Sequence, residues 1–368
     1  MKNIVIIFGG KSVEHDISIL TGLHAARNVV EGRKIHLVYL TRDNTMVEGG
    51  RDLKTYISGA SKRKPVFFQN GCLHIKKWWG LKKVCKVDVL LNCCHGGAGE
   101  GGELSAFFKL NNIPISCSDM ITSAILMSKS RTREMLDKCQ GFLQPKYMKF
   151  DDIRAFDAEK VVKSLELPLV VKPDKLGSSI GITRVSTVQE LDYAARLAFS
   201  LDDTVIVEEF IDFDKEINCA AFEYRGQIIT SKCETTKQGE NQQIFDFSEK
   251  YLDGPSGFTS KKLKPEEEEE DTELCERISS LTRRAYELFG CRGVVRMDFL
   301  VKGGKIYLNE VNTVPGFMAY HLFVLAGIQY GTLLEMIIDE AIREHSNQPA
   351  KKTEYKSDVL QVNRRLVE

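Results

Sequence analysis

The chain has 368 residues, 43% apolar and 28% charged, which fits a globular protein of two or three domains and excludes a disordered or fibrous one. Its 51 lysines and arginines are balanced by 51 aspartates and glutamates, so no global field draws it to nucleic acid or an anionic membrane, and neither partner is expected, although a local basic pocket stays open. Ten scattered cysteines without a C-x-x-C pair, an N-terminal apolar run too short for a signal peptide, and no segment long enough to span a bilayer lead to an expectation of reduced thiols in a cytoplasmic protein.

In chain order, "NIVIIF", "GGKSVEHDISILTGLHAARNVV" and "KIHLVYLT" predict strand, helix and strand, a Rossmann-like βαβ opening. Gly9 and Gly10 do not complete G-x-G-x-x-G, so no dinucleotide is inferred. "VFFQNGCLHI" predicts a hairpin about Asn70-Gly71, and "KVDVLLNCCHGGAGEGG" a buried strand entering a glycine-rich loop. The first domain, 1–117, is expected to close near Cys117. A helical stretch, "ITSAILMSKSRTREMLDKC", then leads to the strand-loop-strand "LPLVVKPDKLGSSIGITRV" and the apolar strand "DTVIVEEFI", which together make a small domain over 118–208. Strands within 216–234, a long helix and a hairpin over 294–312 make a third, 209–345, followed by a polar tail, 346–368. The acidic run in "KPEEEEEDTELCERISSLTRRAYELFG" is the first turn of that helix: proline and carboxylates suit its start and Gly290 its end.

Two stretches carry chemistry. In "YLNEVNTVPGF", side chains two apart on a strand share a face, so Glu310 and Asn312 present a carboxylate and an amide oxygen together. The "KGG" turn at 302–304 brings Asp298 of "VVRMDFLV" beside Glu310, giving an oxygen-only set that suits Mg²⁺ better than zinc. Ordinary rim residues of a hairpin fit the same pattern. In "KPDKLGSSIGI", Gly177, Ser178, Ser179 and Gly181 follow Lys172 on its strand, so the loop can fold N–H and hydroxyl groups over phosphate oxygens. It is not a Walker loop, and a hairpin turn without ligand is the alternative. Glu208, Glu209, Phe210 and Ile211 can receive an adenine at a strand end, or be plain strand.

In order along the chain, "FGGKSVEHDIS", "HGGAGEGG", "MSKSRTR", "VVKPDKLGSSIG", "FDFSEKYL", "VVRMDF" and "NEVNTVPGF" resemble the D-alanine-D-alanine ligase family of the ATP-grasp superfamily, up to about residue 340. The resemblance implies an α/β (α+β) ATP-grasp fold of three domains, with ATP between the central and C-terminal ones. It implies a carboxylate-amine ligase joining two D-alanines for peptidoglycan through an acyl phosphate, with two Mg²⁺ ions, for which Mn²⁺ can substitute. It also allows a homodimer.

By the same resemblance, Lys129 and Lys172 hold the ATP phosphates, and Ser178 and Ser179 belong to the loop that covers them. Glu208, with the backbone of Glu209 to Ile211, meets adenine, and Glu216 meets ribose. Asp298, Glu310 and Asn312 bind metal. Glu14 receives the first D-alanine's amino group and His95 lies near its carboxylate. Lys250 and Tyr251 lie on the loop that closes over the γ-phosphate, while Arg296 and the Gly316 N–H stabilise the tetrahedral intermediate. Glu14, Ser178, Tyr251, Arg296 and Gly316 form the catalytic set. Phosphorylating a carboxylate supplies a leaving group for amine attack, and both steps build charge on oxygen, so cations serve better than an acid-base pair.

The departures lie at the acceptor end. Gly97 and Gly101 stand where the family has arginine and aspartate, and Phe317 and His321 replace smaller residues before Leu322, His321 standing at the serine that binds the acceptor carboxylate. A ligase for D-alanine and another D-amino acid such as D-serine, or for a specialised dipeptide, is the alternative. A catalytically silent ATP-binding regulatory protein is the alternative of another class, although such a protein has no need of the metal ligands together with Arg296.

Overall fold

The computed structural model describes residues 2–58, 63–236 and 272–347, together with Ser357 and Val359. Strands β1 (Asn3–Gly9) and β2 (Lys34–Leu40) pair in parallel around the helix His15–Asn28. This is the expected βαβ opening. Strand β3 (Met46–Glu48) adds antiparallel at the edge. The Asn70-Gly71 hairpin joins β4 (Val66–Gln69) to β5 (Cys72–Lys77), and a third strand, β6 (Gly80–Lys86), pairs with β5. Strand β7 (Val89–Asn92), buried throughout, returns to the first sheet beside β1. It delivers the glycine-rich loop to the carboxyl end of that sheet, where α/β sites open.

The central sheet joins β8 (Tyr147–Phe150), β9 (Leu169–Pro173), β10 (Thr183–Val185) and β11 (Val205–Glu209) in the order β10-β9-β11-β8, all antiparallel. The "KLGSSIG" segment is the turn region of the β9-β10 hairpin. Strands β12 (Lys215–Tyr224), β13 (Gln227–Thr230), β14 (Glu234–Thr236), β15 (Val295–Lys302) and β16 (Lys305–Asn312) form the last sheet, closed by the expected turn after Lys302. The long helix is seen over Thr272–Phe289, followed by Gly290 at φ +64°, a left-handed position suited to glycine. The acidic run before Thr272 lies outside the described residues.

Packing joins these units more closely than domain limits drawn at 117 and 208 suggest. Ile4, Ile6 and Phe8 of β1 share one core with Ala220 and Phe222 of β12 and with Leu333, Leu334 and Ile337 of the helix Tyr330–Ser346. Leu126 and Leu136, from the helical stretch expected to open the central domain, pack with β12, β15 and Tyr286 instead. Among the described residues no single helix is long and apolar enough to cross a membrane.

Candidate active site

Asp298 and Glu310 are directly opposed across β15 and β16, and Arg296 is opposed to Asn312. With period two along each strand, all four side chains therefore share one face. Arg296 grips the buried Asp298 through two parallel bonds, Nε to Oδ1 at 2.7 Å and its second nitrogen to Oδ2 at 2.8 Å, and the Asn312 amide donates to the same Oδ2 at 3.2 Å. Arg296 thus neutralises the carboxylate expected to meet a cation. A donor set of two carboxylates and an amide oxygen fits Mg²⁺ once Asn312 turns its oxygen inward. The other close carboxylate group among the described residues, Glu223, Glu340 and Glu344, belongs to β12 and the last helix and is matched by Arg292 and Arg343.

A β-bulge between Asp298 and Phe299 shifts the register, so that Glu310 faces Asp298 while Leu308 faces Phe299. The extra residue, Asn309, is freed from pairing. Its Oδ1 lies 3.4 Å from Lys172 Nζ, as a bulge that re-aims a side chain beside a site can arrange. Lys172, on β9, is diagonal to Glu208 on β11 and bonds it at 2.6 Å. Glu208 is buried and its other oxygen takes a 2.7 Å bond from Arg133, which also donates to the Leu308 and Asn309 carbonyls. Burial alone would raise the Glu208 pKa, but the two cations prevail and hold it at about 2.

The side chain of Glu208 therefore faces the lysine rather than a base. The N–H groups of Glu209 and Phe210 donate to Lys146 and Pro168 carbonyls, and Glu209 also pairs with Lys146 at 3.2 Å. Ile211 and Glu216 are half-buried beyond them, with Glu216 paired to Leu300 of β15. Arg133 and Asn309 were not singled out from the sequence. Nor was Asp174, a buried carboxylate that accepts from Ser128 Oγ at 2.5 Å and Ser130 N at 2.7 Å, and whose carbonyl takes the Lys129 N–H. It fixes the start of the helix Lys129–Leu136 and so the root of Lys129. Lys129 Nζ donates to the Leu176 carbonyl at 2.6 Å; burial lowers its pKa and Glu310 opposes that shift.

Two segments converge on Glu14. Ser178 donates to its carboxylate from 164 residues away. A Cβ on Gly177 would stand 3.0 Å, and one on Gly96 2.9 Å, from the same carboxylate oxygen. Ser178 and Ser179 both adopt left-handed backbone, at φ +54° and +59°. The glycine-rich loop is equally tight: at Gly97, with φ +48°, a Cβ would lie 2.6 Å from the Lys11 carbonyl. That collision is a physical reason for glycine where the family has arginine.

His95 departs from the expected substrate contact. Its ring is buried, with Nδ1 2.6 Å from the Val314 carbonyl and Nε2 2.7 Å from Thr21 Oγ1, and burial lowers its pKa. It is a neutral bridge from the glycine loop to the segment carrying Asn312 and Gly316. Glu100, also missed in the sequence, completes the bridge: its two oxygens accept the N–H groups of Gly96 and Val314, each at 2.9 Å. Burial first, then the nearby Glu14, pushes its pKa up to about 8.

After Gly316, Phe317, Met318 and Ala319 run left-handed at φ +51°, +55° and +48°. Such backbone costs about 1–2 kcal/mol per residue in L-amino acids. It is held here by the Phe317 N–H on Thr21 Oγ1 at 3.2 Å. The Phe317 ring is buried edge-on against His24. Leu322 is fully buried in the shared core, and His321 is half-buried with Nε2 3.4 Å from Glu234. Lys250 and Tyr251 lie outside the described residues.

The site opens to solvent as a cleft of about 750 Å³ lined by Lys11, Glu14, Arg42, Gly96, Lys175 and Gly177. A cavity of about 40 Å³, bounded by Glu100, Lys129, Gly177, Glu310 and Asn312, lies behind it. With the loop in this position, that inner space has room for water and not for a nucleotide. The bonds from Lys129 to Leu176 and from Ser178 to Glu14 latch the glycine-serine loop over it.

Family models described as D-ala D-ala ligase N-terminus and C-terminus match residues 3–118 and 137–343. A D-alanine–D-alanine ligase of Thermosipho africanus is 32% identical over 95% of this chain and 96% of its own length. One of Nitratiruptor sp. is 34% identical over 86% and 89%. Among solved structures, the VanG D-Ala:D-Ser ligase of Enterococcus faecalis is similar at a TM-score of 0.75 and 28% identity, covering 92% of this chain and 99% of that one. The fold is therefore ATP-grasp. Matched in both its halves by the family models and along nearly its whole length by these relatives, the chain belongs to the D-alanine–D-alanine ligase family.

Proposed function

We propose that the protein is an ATP-dependent ligase that forms D-alanyl-D-alanine for peptidoglycan precursors, acting in the cytoplasm. The observation that carries this reading is the single face of Arg296, Asp298, Glu310 and Asn312, with Lys129 lining the same inner cavity as Glu310 and Asn312 and Lys172 reaching the neighbouring Asn309. A carboxylate, a γ-phosphate and cations to stabilise developing charge can meet there, and carboxyl activation needs no acid-base dyad. Asp298, Glu310 and Asn312 would hold Mg²⁺, which supplies charge neutralisation on phosphate oxygens when bound. Lys129 and Lys172 would exchange Leu176 and Glu208 for ATP oxygens. Arg296, released from Asp298, would turn to the tetrahedral intermediate opposite the Gly316 N–H. Glu14 would hold the first ammonium group, with Ser178 fixing its carboxylate.

A second reading, ligation of D-alanine to another D-amino acid such as D-serine, is supported by the pairing with Glu234 of His321, which by the sequence resemblance would meet the acceptor carboxylate. One experiment separates the two. The pure protein is incubated with ATP, Mg²⁺ and a panel of D-amino and D-hydroxy acids, and the products are weighed by mass spectrometry. D-alanyl-D-alanine as the dominant product supports the first reading and a mixed dipeptide the second. ATP consumption without any dipeptide refutes both.

A further inference from the structure

We propose that the β4-β5-β6 sheet docks the protein on the surface of a bilayer rich in anionic phospholipid, with the hairpin tip Trp78-Trp79 entering the interface. The balanced charge of the whole chain conceals a segregation: between Asp52 and Asp88 lie eight lysines and one arginine and no acidic residue. Lys76 and Lys77 precede the tip and Lys82 and Lys83 follow it. Lys77 pairs with Gly80, so the two tryptophans are themselves the two-residue turn of the β5-β6 hairpin. Such turns favour Gly, Asn and Asp, whose backbone suits the geometry, so folding gives no reason for two indoles there.

Trp78 is 91% exposed and Trp79 63%, their rings touching only each other's edge at 5.1 Å. Leu81, Val84 and Phe67 extend the exposed apolar surface. At its other end the sheet is anchored by Phe68, Leu73 and Cys85 in the first-domain core. Indole rings favour the headgroup level of a bilayer, and nearby lysines are drawn to its negative surface potential. The exposed aliphatic residues favour lipid over nucleic acid, whose bases would stack on the tryptophans but have no use for leucine and valine. A second copy is disfavoured because it would bring like charge against like.

These are the only two tryptophans in the chain, so intrinsic indole emission reports on the tip alone. Full-length protein is titrated with vesicles of equimolar phosphatidylcholine and phosphatidylglycerol, and separately with pure phosphatidylcholine. The expected result is a blue shift and quenching by brominated acyl chains with the anionic vesicles only, reversed by salt. Each of Lys77→Gln and Lys82→Gln should weaken partitioning by about fivefold. The double variant W78S/W79S should lose cosedimentation while its phosphate release in solution stays unchanged, which shows that it folds. Three outcomes would overturn the proposal: no response to anionic vesicles at low salt, an equal response to both vesicle types, or a blue shift produced by an oligonucleotide or by raising protein concentration alone.

Discussion

The phosphate side of the site and its acceptor side are held in opposite ways. On the phosphate side three ion pairs are each anchored on a buried group: Lys172 with Glu208, Glu208 with Arg133, and Arg296 with Asp298. Bulge, strand register and helix start all serve to place these groups. On the acceptor side His321 is half-buried and meets Glu234 at a loose 3.4 Å, and the glycine loop lacks two of the family's charged residues. Buried ion pairs are costly to break and fix geometry, whereas half-exposed ones adjust. On the proposed reading, the groups that would activate a carboxylate are thus held rigidly and those that would read the second substrate loosely.

If that contrast is correct, damage to the phosphate side should be severe. Glu310→Gln keeps the size of the side chain but removes a charge expected on the metal, and should lower ATP turnover by about a hundredfold or more, measured as phosphate release at saturating Mg²⁺. Turnover at the native level would break the contrast outright.

Arg133→Met should act on stability before chemistry. It leaves Glu208 buried with one cation instead of two, and should cost about 3 kcal/mol in urea unfolding. The sign of the pH dependence follows from the depressed pKa. Ionised Glu208 contributes stability that is fully present above the unfolded value near 4.5 and is lost as pH falls towards about 2. The native chain should therefore lose this contribution only below about pH 4.5, and the additional double variant R133M/E208Q should be less unstable than R133M alone.

Glu100 gives the opposite slope. Its pKa, pushed up to about 8 by burial and by Glu14, means that the folded state holds the proton more tightly than the unfolded one. Stability from this group is greatest below the unfolded value and falls as pH rises towards about 8. Glu100→Gln should flatten that decline while loosening the bridge to Val314, so kcat should fall more than the KM for ATP. An unchanged pH profile of unfolding in the variant would remove Glu100 as the origin of the slope.

The smallest effect is expected at the acceptor. His321→Ser should change the KM of the second amino acid by up to about tenfold and alter the ranking of acceptors, with phosphate release from the first step little changed. An identical ranking and an identical acceptor KM in the two proteins would move acceptor selection elsewhere.

Much of the phosphate side was legible because its signals are local. The turn at 302–304 brings the strands of Asp298 and Glu310 together, although the bulge and not the turn sets the two directly opposite, and a lysine strand followed by glycines and serines dictates a hairpin able to cover an anion. What escaped depends on distance or on irregularity. Arg133 looks like any charged residue of a helix until Glu208, 75 residues on, is seen to accept its hydrogen bond. Asn309 acquires its direction from a bulge that no period-two pattern encodes. Glu100 lay inside a quoted motif but gains meaning only from Val314, 214 residues away. His95 was read as open to substrate because a sequence does not show that both ring nitrogens are already engaged. The β6 strand was hidden by the lysines that make its exposed residues look like a loop.

The claim at the centre of this account is that the chain activates a carboxylate by phosphorylating it. D-alanine labelled with ¹⁸O in both carboxyl oxygens tests it directly, supplied with ATP and Mg²⁺ in ordinary water. If the carboxylate attacks the γ-phosphorus and an amine then displaces phosphate, one labelled oxygen per turnover must leave in inorganic phosphate and the new amide must keep the other. Phosphate released without label, in amounts matching ATP consumed, would mean that water attacks the nucleotide and would contradict the assignment.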